Sequence, residues 1–356
     1  MKKITEVDKY MTIKESINTS FKEINVLTSN ELKRLGMPFI EINKSFNRRH
    51  KEYNISEAAD YLSTNTAGMS ITFKTNSKKL TLKGKVNNKA SMWHMAPTGE
   101  NGFDLYIKMD KYRLLNALRK DKDTLEFNSD FYEFKNKEER TFIINFPLYC
   151  GVSELFLLID EDSTIKVNNE FDNKKWCIYG TSITQGGCVS RPGMCYTNIL
   201  SRHYKKEVIN LGFSGSGLGE LSVAKMINEI NDLEMVIIDF DANACDDGYI
   251  FTNLEPFIEE LKSKNKDIKV VIISRVQFIE KFYNEKMKLN YEKCLDFEIE
   301  LTNKLNKKYG NVYFIDGLNL LDDDYDEYTV DSIHLTDLGN YIFTKNLIPY
   351  LNKIIK

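Results

Sequence analysis

Ser182 stands two residues beyond a break at Gly180, which ends a short apolar run from Trp176 to Tyr179. The run reads as a buried strand. A serine in a glycine-containing turn past a strand end can hold its hydroxyl in the crevice at the carboxyl edge of a sheet, where open α/β folds bind ligands. By itself such a serine more often only makes a turn. Three other stretches weigh against that bland reading: Gly212-Phe213-Ser214-Gly215-Ser216-Gly217, Asp241-Ala242-Asn243-Ala244 and Asp331-Ser332-Ile333-His334. They add a glycine-rich turn, an asparagine and an Asp/His pair, which with the serine make a full set of parts for nucleophilic acyl transfer. A serine hydroxyl is a poor nucleophile until a base takes its proton. His334 is the candidate base, and Asp331 is near enough in sequence to orient it from one loop. The backbone N–H groups of Ser182 and Gly215 and the side-chain amide of Asn243 could receive an oxyanion. Glycine at 215 allows positive φ and close backbone approach. Read singly, His334 could be a surface or cap-neighbouring residue, Asn243 a strand end and Gly215 a turn glycine. Their joint presence favours a site.

These loops meet only if the strands before them lie parallel. Trp176 to Tyr179, Val208 to Leu211, Met235 to Phe240, Val270 to Ser274 and Val312 to Ile315 are apolar strand candidates. Helical stretches lie between and after them: Met194 to Tyr204, Leu218 to Ile230, Thr252 to Lys262, Glu280 to Lys308 and Thr336 to Leu351. Apolar strands alternating with helices predict a five-stranded parallel sheet covered on both faces. Upstream the pattern differs. Short strand candidates at 70–74, 79–83, 103–109, 132–134, 141–146 and 154–159 are separated by turn residues, which predicts a β-sandwich or jelly roll. A helix over Ser29 to Leu35, capped by Ser29 or Asn30, is expected near its start. The polar stretch Val167 to Lys174 marks the boundary, giving domains over 1–170 and 171–356.

Composition narrows the function class. The 356 residues carry a net charge of −3 with no basic block, which gives no nucleic-acid footprint and no polybasic membrane patch. No apolar run approaches the ~20 residues of a membrane helix. Met1 to Lys9 lacks the apolar region of a secretory signal. The acidic run Asp322 to Glu327 reads as a solvated loop. Six cysteines without a Cys-x-x-Cys pair predict reduced thiols and a cytoplasmic protein. No His, Cys and Asp cluster has metal-ligand spacing, so no metal is expected.

The four blocks, in this order and on these elements, resemble the SGNH/GDSL hydrolase superfamily. Its signature residues match Ser182, Gly215, Asn243 and His334, with Asp331 as the triad acid, and the Asp-x-x-His spacing is the most specific piece. The resemblance spans residues 175–356. Gly102-Phe103-Asp104-Leu105-Tyr106 is similar to the Gly-x-Asp-Leu-Tyr motif of a β domain fused to one branch of these esterases. The first block departs from the usual Gly-Asp-Ser in having Thr181. The third departs from Gly-x-Asn-Asp in having Asp241 and Ala244 around Asn243. The resemblance implies an α/β/α hydrolase domain behind an N-terminal β-sandwich, acting as a serine esterase. It would need no cofactor and would remove a small acyl group, with acetyl favoured, from an oxygen ester on a small molecule or a carbohydrate. An acyltransferase using the same acyl-enzyme is one alternative, and a non-catalytic glycan-binding protein another. Arg191, His94 and Trp93 are candidate substrate contacts, each also readable as a solvated cation or as packing. A homo-oligomer stays open.

Overall fold

In the computed structural model the described residues are 3–13, 16 and 21–356, so Met1 and Lys2 of the N-terminal stretch lie outside them. The N-terminal half is antiparallel throughout. One sheet pairs the strands 21–25, 152–160, 79–86 and 126–133 in that spatial order. The other runs 165–167, 70–75, 140–145, 104–108 and 112–117, with 33–35 added on 70–75. Alternate side chains such as Leu80, Leu82, Phe73, Phe142 and Leu157 are fully buried in the core of this half.

The helix expected over Ser29 to Leu35 is absent. Ser29 does cap locally, accepting the Glu31 N–H at 3.1 Å. Lys33–Leu35, however, is a strand antiparallel to 70–72, with Leu35 buried. Pairing and burial outweigh a local helix signal.

Beyond Val167 the chain forms the parallel sheet. Its spatial order is 206–212, 172–180, 233–239, 269–273 and 312–315, so the first strand lies between the second and third. This reversal of direction is the topological switch point, where α/β sheets open a crevice at the carboxyl ends. The strand holding Trp176 explains the layering. Trp176 and Ile178 face one side, beneath the helices Tyr196–Tyr204 and Asp337–Ile354. Cys177 and Tyr179 face the other, beneath Leu221–Ile227, Tyr249–Lys264 and Glu285–Tyr309. The last of these is capped by the Asn284 side chain, which accepts the Met287 N–H at 3.1 Å, and it starts five residues later than the sequence suggested.

The expectation of uniformly reduced thiols fails at one pair. Cys245 and Cys294 form a disulfide across 49 residues of sequence, joining the segment after the third strand to the long helix. Cys150, Cys177, Cys188 and Cys195 are free and buried. Among the described residues no helix is long and apolar enough to cross a membrane.

The two halves meet through buried polar contacts. Arg48, 1% exposed, donates to the carbonyls of Leu62 and Asn65 in its own half and to that of Gly212 (2.6 Å) at the end of a parallel strand. Such a buried cation persists because each of its donors finds an acceptor.

Candidate active site

The strand 172–180 delivers the candidate nucleophile, Ser182. Gly180 leaves no room for a side chain, since a Cβ there would fall 2.1 Å from Thr184 Oγ1. Thr181 caps the short helix Ser182–Gln185, its hydroxyl accepting the Ile183 N–H at 3.3 Å. A threonine can cap in place of an aspartate, so this departure from the usual first block keeps the local fold. Ser182 is 7% exposed, with its hydroxyl 2.9 Å from His334 Nε2. His334 Nδ1 lies 2.7 Å from Asp331 Oδ2, and Asp331 Oδ1 accepts the backbone N–H groups of Ile333 (3.1 Å) and His334 (2.8 Å). An ionised carboxylate only accepts, so the imidazole carries its proton on Nδ1 and Nε2 accepts from the serine. Burial alone would raise the Asp331 carboxyl. The hydrogen bonds from His334 outweigh it and hold that group below its ordinary range.

Gly215 and Asn243 complete the crevice. Gly215 has φ +65° and open space where a Cβ would stand. Asn243 sits in the short helix Asp241–Ala244, and with its amide oriented to satisfy both ends, Oδ1 accepts from Ser216 N (3.2 Å) and Gly217 N (3.3 Å). Nδ2 is then the opposite end of the amide, a donor. The third and second blocks are thereby pinned together beside Ser182.

The other sequence candidates divide. Trp93 and His94 come from the β half to the triad. His94 Nε2 is 3.9 Å from Asp331 Oδ2, and its ring meets that of His334 edge-on at 5.5 Å. Trp93 stacks on His94 at 4.7 Å and is 82% exposed. Arg191, the third candidate substrate contact, is paired within the protein. Its Nη1 pairs with the wholly buried Asp104 at 3.1 Å and donates to the Tyr106 hydroxyl at 2.5 Å. Its charge is satisfied at the junction of the two halves, by two residues of the Gly-Phe-Asp-Leu-Tyr stretch.

Sequence reasoning did not single out Tyr149, Gln185 or Asp239. The Tyr149 hydroxyl donates to the Ser182 carbonyl at 3.2 Å. Gln185 Oε1 accepts the Ser214 N–H at 3.0 Å, and its Nε2 donates to the Leu148 carbonyl at 3.2 Å. Asp239 accepts the hydroxyls of Thr184 and Tyr196, both at 2.8 Å, beneath the nucleophile helix. Burial pushes its carboxyl up to about 7. No motif marks these residues, whose contacts join segments distant in sequence.

Cys188 lies against the triad. Burial first, then the charge of Asp331, pushes its thiol up to about 12, so it is a protonated and poor nucleophile at neutral pH. Folding also gathers ligand-type atoms that sequence spacing keeps apart: His94, Cys188 and His334 in one group, and Asp241, Cys245 and Cys294 in another. In the first, His334 is already bonded to serine and aspartate. In the second, the two sulfurs are joined to each other.

Residues 173–352 match the GDSL-like lipase/acylhydrolase family. The chain belongs to it. Residues 28–165 match the N-terminal Gly-x-Asp-Leu-Tyr domain of SGNH-hydrolase-type esterases, so this family member carries both parts of the two-domain esterase. A GDSL-like lipase from Bacteroides ovatus is similar over 94% of this chain and 98% of its own, at 29% identity and a TM-score of 0.85. The salicylyl-acyltransferase SsfX3 of a tetracycline biosynthetic pathway is similar over 93% of this chain and 98% of its own (15% identity, TM-score 0.76). A family two carbohydrate esterase from Cellvibrio japonicus covers 94% and 98% (12% identity, TM-score 0.60). These last two share the fold. Among curated proteins nothing matches. The GDSL-family chain is thus an enzyme of the carboxylic-ester hydrolase class, an acyl hydrolase or transferase in chemistry.

Proposed function

We propose that this chain is a serine esterase that hydrolyses the ester of a small acyl group on a carbohydrate hydroxyl, through an acyl-enzyme on Ser182. The observation that carries the reading is the continuous relay Asp331–His334–Ser182, set beside the turn bearing Gly215 and Asn243.

His334 Nε2 takes the hydroxyl proton as Ser182 Oγ attacks the ester carbon, and Asp331 stabilises the imidazolium that forms. The carbonyl oxygen becomes an oxyanion, received by the N–H groups of Ser182 and Gly215 and by Asn243 Nδ2. His334 then gives its proton to the leaving sugar oxygen. Water, activated by the same imidazole, attacks the acyl-enzyme and regenerates the serine. The chemistry needs no metal and no cofactor. The exposed face of Trp93, fixed by stacking on His94 beside the triad, suits the apolar face of a sugar ring. The fold shared with carbohydrate esterases, among them an acetyl xylan esterase from Butyrivibrio proteoclasticus, supports a sugar ester as the substrate, with acetyl among the acyl groups tested first.

Transfer is the second reading, and the similarity to an acyltransferase favours keeping it. The acyl-enzyme is the same, and a sugar hydroxyl replaces water. A fluorophosphonate probe tests the shared core. Labelling of Ser182, lost in Ser182→Ala, is expected. Labelling of Cys188 in place of Ser182 overturns the mechanism. Product analysis with acetylated and free oligosaccharides then separates released acid from acylated acceptor.

A further inference from the structure

A largely apolar cavity of about 140 Å³ opens among the sequence neighbours of the triad, with Gln277, Glu280 and Ser332 at its border. Its walls include the sequence neighbours of the reacting groups: Ile183 after the nucleophile, Ala242 before Asn243, and Ile333 between Asp331 and His334. Val276 and Phe278, from the loop after the fourth parallel strand, and Met287, from the long helix, form the rest of the apolar lining. Arg275 also borders it, but its Nη2 donates to the Ala242 carbonyl at 2.7 Å and faces Asp246 at 3.5 Å. Nη2 is therefore engaged, while the buried Nε has no hydrogen-bond partner among the described residues.

The geometry points to this cavity as the seat of the acyl chain, sized for about six carbons or a single aromatic ring rather than for acetyl alone. The inference rests on the serine-esterase reading and deepens it. When Ser182 Oγ attacks, the ester carbon has three other substituents to place. Its oxygen goes to Gly215 and Asn243. Its leaving oxygen must lie within reach of His334 Nε2, on the side where His94 and Trp93 stand over the histidine. The remaining substituent is the acyl chain, and the space left for it is bounded by Ile183, Ala242 and Ile333. The volume sets the size: an apolar cavity of about 150 Å³ lined by leucine, isoleucine and phenylalanine holds a benzene molecule. The lining sets the chemistry: its larger part is aliphatic and aromatic and favours a hydrocarbon chain, while Asp246 and Glu280 at its border disfavour a second carboxylate.

The test is a series of 4-nitrophenyl esters with the leaving group held constant: acetyl, butyryl, hexanoyl, benzoyl and decanoyl. kcat/KM is expected to rise by roughly fourfold per methylene from acetyl to hexanoyl, the factor for one buried methylene. Benzoyl should run with hexanoyl, and decanoyl should fall because it overfills the space. Val276→Trp, which fills the cavity, should erase the hexanoyl advantage, so that the ratio of kcat/KM for hexanoyl to that for acetyl falls to one or below. If that variant melts early, Met287→Ala replaces it and should move the optimum to longer chains. Acetyl hydrolysed as well as or better than hexanoyl, or an optimum unmoved by both substitutions, overturns the acyl seat and leaves the esterase reading standing. Hydrolysis of none of the esters, with no probe labelling of Ser182, overturns that reading first.

Discussion

Asp104 and Arg191 form an ion pair at 3.1 Å that joins the β half to the loop following the nucleophile. The same Asp104 oxygen accepts the Gly193 N–H at 2.8 Å, and Asn145 donates to the other oxygen at 2.7 Å. The carboxylate is wholly buried, and the Arg191 side chain is 19% exposed. The Gly-Phe-Asp-Leu-Tyr stretch therefore acts as a clasp on the catalytic half. Breaking a buried pair from one side is costly because the other charge stays behind. Asp104→Asn should lower stability by roughly 3 kcal/mol, read as an earlier melting transition in calorimetry, with KM for a small aryl ester unchanged. Arg191→Ala should behave alike. Normal melting with a raised KM would return Arg191 to the substrate.

The catalytic blocks were readable because their chemistry is local: Asp331 and His334 lie on one loop, and Gly215 and Asn243 each follow a strand end. The parallel sheet was readable from its apolar runs. The antiparallel strands were less so. The strand 112–117 exposes Arg113 and Leu114, and without a clean alternation it gave no signal. The partner of Arg191 was not legible because the acid lies 87 residues away. Tyr149 against Ser182, His94 against Asp331 and Cys245 against Cys294 are likewise long-range contacts, and no spacing in a single chain encodes them.

Asp239 should make stability depend on pH. Burial lifts its carboxyl from 3.8 to about 7. Between those values the folded protein keeps a proton that the unfolded chain has released. The folded state then binds more protons, so stability falls as pH rises through this window and levels above it. In Asp239→Asn the side-chain oxygen can still accept from Thr184 and Tyr196, and the titration is gone. The variant should gain melting temperature over wild type on going from pH 5 to pH 8. An unchanged difference across that range would show that Asp239 is ionised throughout.

The Cys245–Cys294 bond should be visible in stability. Closing a span of 49 residues removes about 4 kcal/mol of unfolded-chain entropy. Cys294→Ser, or a dithiol reductant, should lower the melting temperature. Thiol titration of the denatured, unreduced protein should find four groups, the number of free cysteines. Six thiols and an unmoved transition would mean the pair is not bonded in solution.

Asn243 tests the oxyanion site, because its two amide ends have separable duties. Oδ1 holds the Ser216 and Gly217 N–H groups, and Nδ2 is left to meet the charge that develops on the substrate oxygen. An interaction that strengthens in the transition state acts on kcat more than on KM. Asn243→Ala removes both ends and should lose roughly 10²–10³ in kcat, together with a little stability, since the Ser216 and Gly217 N–H groups keep the Phe213 carbonyl as acceptor. Asn243→Asp keeps an acceptor for the two N–H groups but faces the oxyanion with a carboxylate oxygen. It should melt near wild type and yet turn over as slowly as the alanine variant, or more slowly. The aspartate variant decides between the roles. Near-normal kcat with restored melting would make Asn243 only an anchor for the turn, leaving the oxyanion to the backbone N–H groups of Ser182 and Gly215.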